Sequence, residues 1–382
     1  MVVIDQVQLG DVLANQQLHV VTTPASVSQA TITVGNSGVG SADHAAVDYR
    51  GTQQLNADSH AVTVVAVDNS AGSQLSVVTS ATGNTGTGGT CCAALTGTST
   101  QTIAANHTVT AESYVNTDGP DTTGAVSINS AAIGNTQGWE TNGGSVTASS
   151  TQTHYGETYA ALGATIAGVD GAASYTATAV ANNVTSDAAS APVSLTVSQQ
   201  ADGFRTRAGM EIVQQYGGDV TAAATASSNN INITATGGTA SLGSNQFNTN
   251  PVQAETELTL GGWGGTATAA SYGVANSAIV SNGGPATTAN GVQTNSGEVT
   301  ALTGFNGVDG NGGDAKVLST AVGNAYSAYA CADCNGSVVG TVRQTNSGGV
   351  SSTTNATTSN QGAITGVTTA VGNTATFQVH KP

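Results

Sequence analysis

The pentapeptide "TAVGN" stands at Thr320–Asn324 and again at Thr369–Asn373, 49 residues later. A looser form, a small or β-branched residue, then Gly, Ala or Ser, then Asn, marks Asn36, Asn84, Asn135, Asn182, Asn229, Asn276, Asn324 and Asn373. The successive gaps are 48, 51, 47, 47, 47, 48 and 49 residues, so a unit of about 48 residues recurs eight times along nearly the whole chain. Fixed periods of 20 to 50 residues belong to solenoids, propellers and repeat arrays. A second element recurs between these marks: "QTNSGEVTALT" (Gln293–Thr303) and "QTNSGGVSSTT" (Gln344–Thr354) share a pattern with "QGWETNGGSVTASST" (Gln137–Thr151), and more loosely with "QQYGGDVTAAAT" (Gln214–Thr225).

Local periodicity selects among repeat architectures. Val367, Thr369, Val371, Asn373, Ala375, Phe377 and Val379 alternate with smaller or polar residues, which is the period of a strand. The same reading puts Leu318, Thr320, Val322, Asn324 and Tyr326 on one face, and Ile32 and Val34 with Asn36. No stretch sustains a helical period. A propeller would want an aromatic anchor in every blade, and two tryptophans cannot supply eight. The expectation is an all-β protein, a β-solenoid of about eight 48-residue repeats. Residues 1–30 form an N-terminal cap or leader and residues 31–382 the continuous solenoid. The two recurring elements suggest two strand systems per repeat and favour a shorter coil of about 24 residues. At about 4.8 Å per coil the stack would then reach roughly 77 Å, against roughly 38 Å for eight larger coils.

Composition sharpens the functional classes. Only 7% of residues are charged and 4% aromatic, while hydrophobic residues make up 38%, so the chain is neither an ordinary globular domain nor a charge-rich disordered one. The net charge is −16, from 22 acids against six bases, which excludes nucleic acid and anionic lipid surfaces as natural partners. No apolar window is long enough to span a membrane, and "MVVIDQVQLG" shows no signal sequence. No cofactor is expected. No nucleophile elbow, phosphate loop or recurring acid–base pair is visible, and the reading is not an enzyme.

If coils stack in register, the eight asparagines lie over one another and their amides can bond along the axis as a ladder. The alternative is that Gly-Asn marks a turn with Asn in a left-handed conformation. Cys91 and Cys92 are adjacent, Cys331 and Cys334 form "CADC", and five repeats separate the pairs, so each pair is expected to close a local disulfide. "GVDGNGGDA" offers Asp309, Asn311 and Asp314 as a weak calcium-loop candidate, for which a polar turn is the simpler reading. "TDGPD" (Thr117–Asp121) reads as a turn, and the six histidines show no partner pattern.

"TTAVGNTATF", "STAVGN", "QTNSGEVTALT" and the opening "DQVQLGDVLANQQL" (Asp5–Leu18) resemble the holdfast anchor protein D family of stalked bacteria. The resemblance implies a secreted structural protein of the outer cell surface with an amyloid-like stacking of strands. Its partners would be itself or other anchor proteins, and an adhesive polysaccharide that it tethers to the cell. It implies no enzymatic residues. A different class, an ice-binding or other surface-fibre solenoid, would need Thr-x-Thr rows. Thr31–Thr33, Thr176–Thr178, Thr266–Thr268 and Thr374–Thr376 supply such triplets, at irregular distances from the Asn marks.

Overall fold

A computed structural model describes residues 1–119, 123–331, 336–359 and 362–380, and leaves the side chains at positions 309–311 and 380 undescribed. Every element among these residues is a strand, and every pairing between them is parallel. The first turn of the chain holds β1 (Val2–Gln8), β2 (Val12–Val20) and β3 (Val27–Asp43), and the next holds β4 (Val47–Leu55), β5 (Ser59–Val67) and β6 (Gln74–Cys91). Val2 pairs with Tyr49, Val12 with Ser59 and Val27 with Leu75, so β1 lies on β4, β2 on β5 and β3 on β6. Each coil therefore contributes one segment to each of three parallel faces, here A, B and C in chain order.

Face A continues through Leu95–Ile103, Val146–His154, residues 193–201 and 239–248, Ala286–Asn295 and Ser337–Asn346. Face B continues through Thr108–Thr117, Glu157–Gly168, Arg205–Gly217, residues 252–262 and 299–307, and Val350–Thr358. Face C continues through Ala125–Asn142, residues 173–189, 220–235, 267–282 and 315–331, and Ile364–His380. Three strand segments close one coil of about 48 residues, which replaces the expected two strand systems and shorter coil. The reason lies at the corners. The stretches that look like one second element sit at three different bends: Asn142–Val146 where C turns into A, Asn295–Val299 and Asn346–Val350 where A turns into B, and Gly217–Val220 where B turns into C. Each is a polar, glycine-bearing turn that ends on an apolar residue starting the next strand. Residues 1–30 hold β1 and β2, which pair with β4 and β5 as later strands pair with their neighbours.

Alternation along face C also changes phase at the Gly-Asn step. In β3, Val27, Gln29, Thr31 and Thr33 point inward, as do Asn36, Gly38 and Gly40, while Ile32 is 60% exposed. Likewise Val317, Ser319 and Ala321 face in before the step and Asn324, Tyr326 and Ala328 after it. The single-phase reading that put Ile32 and Val34 with Asn36, and Leu318 and Thr320 with Asn324, is corrected by this slip. The residue before Asn is skipped in the register, which bends the long strand. Glycine suits the bend because a Cβ on Gly35 would come within 2.6 Å of the Gly83 carbonyl oxygen.

The phase slip divides the interior into two apolar compartments. One packs face B against the first half of face C, with Ala61, Val65, Leu75, Val77 and Ile128 among its members. The other packs face A against the second half of face C, with Tyr49, Leu95, Trp139 and Val184. Fully burying a leucine such as Leu75 or Leu95 stabilises by about 1.5–3 kcal/mol. The indole of Trp139 meets Tyr49 edge-on at 5.5 Å, and space for it is left by glycines: a Cβ on Gly97 would come within 2.3 Å of the indole. Some of the polar residues that enter the first compartment form a linked chain, while others, such as Ser130 and Thr256, bond backbone carbonyls. Ser113 Oγ, Thr79 Oγ1, Thr63 Oγ1 and Thr31 Oγ1 donate one to the next at 2.7 Å, zigzagging between faces B and C.

Candidate functional site

Between the two compartments runs a wall of amides. Nδ2 of Asn36 donates to Oδ1 of Asn84 at 2.7 Å, and the pattern continues through Asn135, Asn182, Asn229, Asn276 and Asn324 to Asn373 with every rung at 2.7–2.9 Å. The second amide proton of each donating asparagine goes to a face A carbonyl, from Gln54 O in the first rung to Thr345 O in the last.

A second ladder, not singled out by sequence reasoning, runs beside it on face A. Gln6, Gln53, Gln101, Gln152, Gln199, Gln246, Gln293 and Gln344 stack, each Nε2 donating to Oε1 of the glutamine in the preceding coil at 2.7–2.9 Å. The two ladders run in opposite directions, since the asparagines donate toward the following coil. They also brace each other: the asparagine bonds the carbonyl just after a glutamine, and the glutamine bonds the carbonyl just after an asparagine. Gln101, for example, reaches Thr136 O at 2.8 Å while Asn84 reaches Thr102 O at 3.0 Å. The signal was present in the sequence, because these glutamines recur at the same period as the asparagines.

Cys91 and Cys92 are joined by a disulfide at a C-to-A corner. Cys92 there takes a left-handed conformation (φ 69°), as do His44, Gly143, Ser190 and Gly237 at the equivalent corners of other coils. Cys331 is also disulfide-bonded, and Cys334 lies outside the described residues. In the calcium-loop candidate, the Asp314 carboxylate accepts the Ala363 backbone N–H at 2.9 Å and so ties one coil to the next; the side chains of Asp309 and Asn311 lie outside the described set. The same holds for Pro120 and Asp121 of "TDGPD". Three histidines that look unpartnered in sequence meet a carboxylate of a neighbouring coil: His19–Asp68 at 2.8 Å, His60–Glu112 at 3.2 Å and His107–Asp58 at 3.3 Å. Thr31 and Thr33 are buried, whereas Thr176 and Thr178 point outward, so these two triplets, both on face C, do not present their hydroxyls on the same side.

One outward region breaks the repeat. Of the seven glutamates in the chain, Glu112, Glu157, Glu211, Glu255 and Glu257 stand on face B, together with Arg205 and Arg207 from a chain that has four arginines. Arg205 Nε donates to Glu157 and Arg207 to Glu255 at 3.0 Å, and both guanidinium groups lie over the Tyr159 ring at 5.6–5.7 Å. Tyr114, Gly163, Glu211 and Glu257 are lateral neighbours in one row, and Glu112, Ala161, Gly209 and Glu255 in the next. The small residues form the floor of a trough of about 230 Å³, walled by Tyr114 on one side, by Glu211, Glu255 and Glu257 on the other, and by Tyr159 and Arg207 at one end. The two ion pairs leave Glu211 and Glu257 side by side. Partial burial, then the negative charges of Glu255 and Glu211, hold the Glu257 carboxyl above its ordinary range. Burial and the adjacent Glu112 push the Tyr114 phenol up, keeping it a hydrogen-bond donor.

The described residues thus form a parallel solenoid with an amide-braced interior and a polar, aromatic trough on face B. The model of the holdfast attachment protein D family matches residues 21–300, and the chain belongs to that family. No curated protein and no solved structure matches it. No helix among the described residues is long and apolar enough to cross a membrane.

Proposed function

We propose that this chain is an extracellular structural anchor at the outer cell surface. It self-assembles or docks on outer-membrane partners and tethers an adhesive polysaccharide, the holdfast, to the cell. The observation that carries this reading is the division of labour between inside and outside. Interior rows are committed coil after coil to packing and amide ladders, which makes a stiff scaffold, while the outer faces present threonine, serine and asparagine side chains and the trough on face B. Rows of hydroxyls and amides suit hydrogen bonding to sugars. Parallel strands also accept a neighbour by the same backbone bonds whether it comes from the same chain or another, which supports assembly through strand edges.

Fractionation of native cells followed by pull-down of this chain tests the proposal. Recovery in an outer-surface fraction together with adhesive polysaccharide is the expected result. A freely soluble protein carrying no carbohydrate and no surface partner overturns it.

A further inference from the structure

The trough on face B has features that the solenoid does not need. Charged residues are rare in this chain, yet two arginines and five glutamates gather within a few coils, beside two tyrosines and over a floor without side-chain bulk. The floor is kept low by glycine: a Cβ on Gly163 would lie only 3.2 Å from the Tyr114 ring. Lateral neighbours in a sheet stand about 4.8 Å apart, so the backbones of Tyr114 and Glu211 lie about 10 Å apart with Gly163 between them, and the Tyr114 ring leans over that glycine. Tyr114 is 44% exposed, and its ring offers an aromatic face against which a saccharide ring can lie beside Glu211 and Glu257. A second cavity of about 430 Å³ shares Tyr114, Gly163 and Glu211 and continues past Asn116 and Val64, which gives room for the next units of a polymer.

Charge selects the kind of sugar. Arg207 is already neutralised by Glu255, and Glu211 and Glu257 stand as adjacent like charges. An anionic sugar would meet repulsion there, whereas an ammonium placed between the two carboxylates relieves theirs. A metal ion fits less well: among the described residues, the group of three potential ligands whose atoms converge within 4.8 Å is His44, Cys91 and Cys92, far from this face and including the disulfide.

From this geometry we infer that the trough binds a saccharide unit carrying a free amine, its ring stacked on Tyr114 and its ammonium held between Glu211 and Glu257. The inference rests on the polysaccharide-tethering reading and names the chemistry of the sugar. Isothermal titration of the full chain with three probes tests it: an oligomer of glucosamine, the same oligomer N-acetylated, and an oligomer of galacturonate. The glucosamine oligomer is expected to bind, with an affinity that weakens as salt rises. The acetylated oligomer should bind at least about tenfold more weakly and the galacturonate oligomer not at all. The shape-conserving double variant Glu211→Gln/Glu257→Gln should lose at least about tenfold in affinity for the glucosamine oligomer while its melting curve stays in place, and Tyr114→Ala should lose affinity for both glucosamine oligomers. Equal binding of the amine and acetylated oligomers, unchanged affinity in the double variant, or no binding of any probe overturns the inference. Cell fractionation of the double variant separates the two readings. If glucosamine oligomers fail to bind while the chain still travels with adhesive polysaccharide, the trough assignment falls and the anchor stands.

Discussion

At the row through Asn182 the same side chain recurs in every coil from Asn36 to Asn373, whereas along the outward row of Tyr114, Gly163, Glu211 and Glu257 the chemistry changes from coil to coil. The first row is inside and its members bond one another; the second is outside and its members face a cavity. Identical amides stacked in register satisfy each other, so a repeat stabilises itself when it is faithful. Identical carboxylates stacked in register repel, so a run such as Glu211 and Glu257 serves something other than the stack. Between these two rows, repetition goes with the stack and departure from it with the candidate site.

Breaking the repeated row should have the largest effect. Asn182→Ala removes three hydrogen bonds, leaving a proton on Asn135 and the Asn229 oxygen without partners and taking the side-chain donor from the Gln200 carbonyl. At about 1 kcal/mol or more for each buried orphan, chemical denaturation should show a loss of roughly 3 kcal/mol. Asn373→Ala, at the last rung, should cost clearly less, since it strands only the amide of Asn324. Equal costs at the two rungs would break the comparison.

A second test uses a place where the interior itself departs from repetition. Leu55 and Ile103 are followed in the same row by His154, and farther on by Asn248, Asn295 and Asn346, which form a short ladder of their own. His154 accepts from or donates to Thr158 Oγ1 at 2.8 Å, and burial lowers its pKa to about 4. Its folded value lies below the unfolded one, so the unfolded chain binds the proton first as pH falls. Stability should therefore drop between about pH 6.5 and pH 4, by about 3 kcal/mol at most, and level off below. His154→Leu should flatten that slope in denaturation curves recorded across this range. An unchanged slope would assign it to other groups.

Next in size, Gly97→Ala forces a methyl against Trp139 and should cost about 1–3 kcal/mol, with a shift in tryptophan emission that reports the displaced ring. The smallest effect is expected from Glu257→Gln. A carboxyl whose folded pKa is raised contributes stability at low pH and loses it as pH rises through the folded value. The glutamine variant should thus match or slightly exceed the parent at neutral pH, and the difference should vanish on acidification. A clear loss of stability at neutral pH would mean that this glutamate serves the stack after all.

The period and the asparagine row were legible in the sequence because one letter returns eight times in a fixed context, after a small or β-branched residue and Gly, Ala or Ser. The glutamine row returns as regularly but was hidden, since glutamine is also frequent in the turns and strands around it; Gln137 and Gln214 open look-alike stretches at other corners. Face B repeats an alanine from Ala14 through Ala61, Ala111, Ala160, Ala208 and Ala254 to Ala301, but alanine is too common in the chain to mark a period, and the other inner positions interchange, so the third strand of each coil carries no readable signature. The phase slip at Gly-Asn defeats a strict period of two, because the bend turns consecutive residues inward. The trough was not legible at all. Glu112, Glu211 and Glu257 are 99 and 46 residues apart in the chain, and only the register of the coil brings them onto one face.

One coil takes about 48 residues, so that residues one repeat apart are lateral neighbours. Thr98 and Ser149 are paired on the outward side of face A. A double variant with cysteine at both positions, treated with a short thiol-specific cross-linker and mapped by peptide mass spectrometry, reads that neighbourhood directly. An efficient link between positions 98 and 149 within one chain is expected, because neighbouring strands lie about 4.8 Å apart. Failure of that link, with cross-linking instead to cysteines placed about half a repeat away, would contradict the three-faced coil and the ladders built on it.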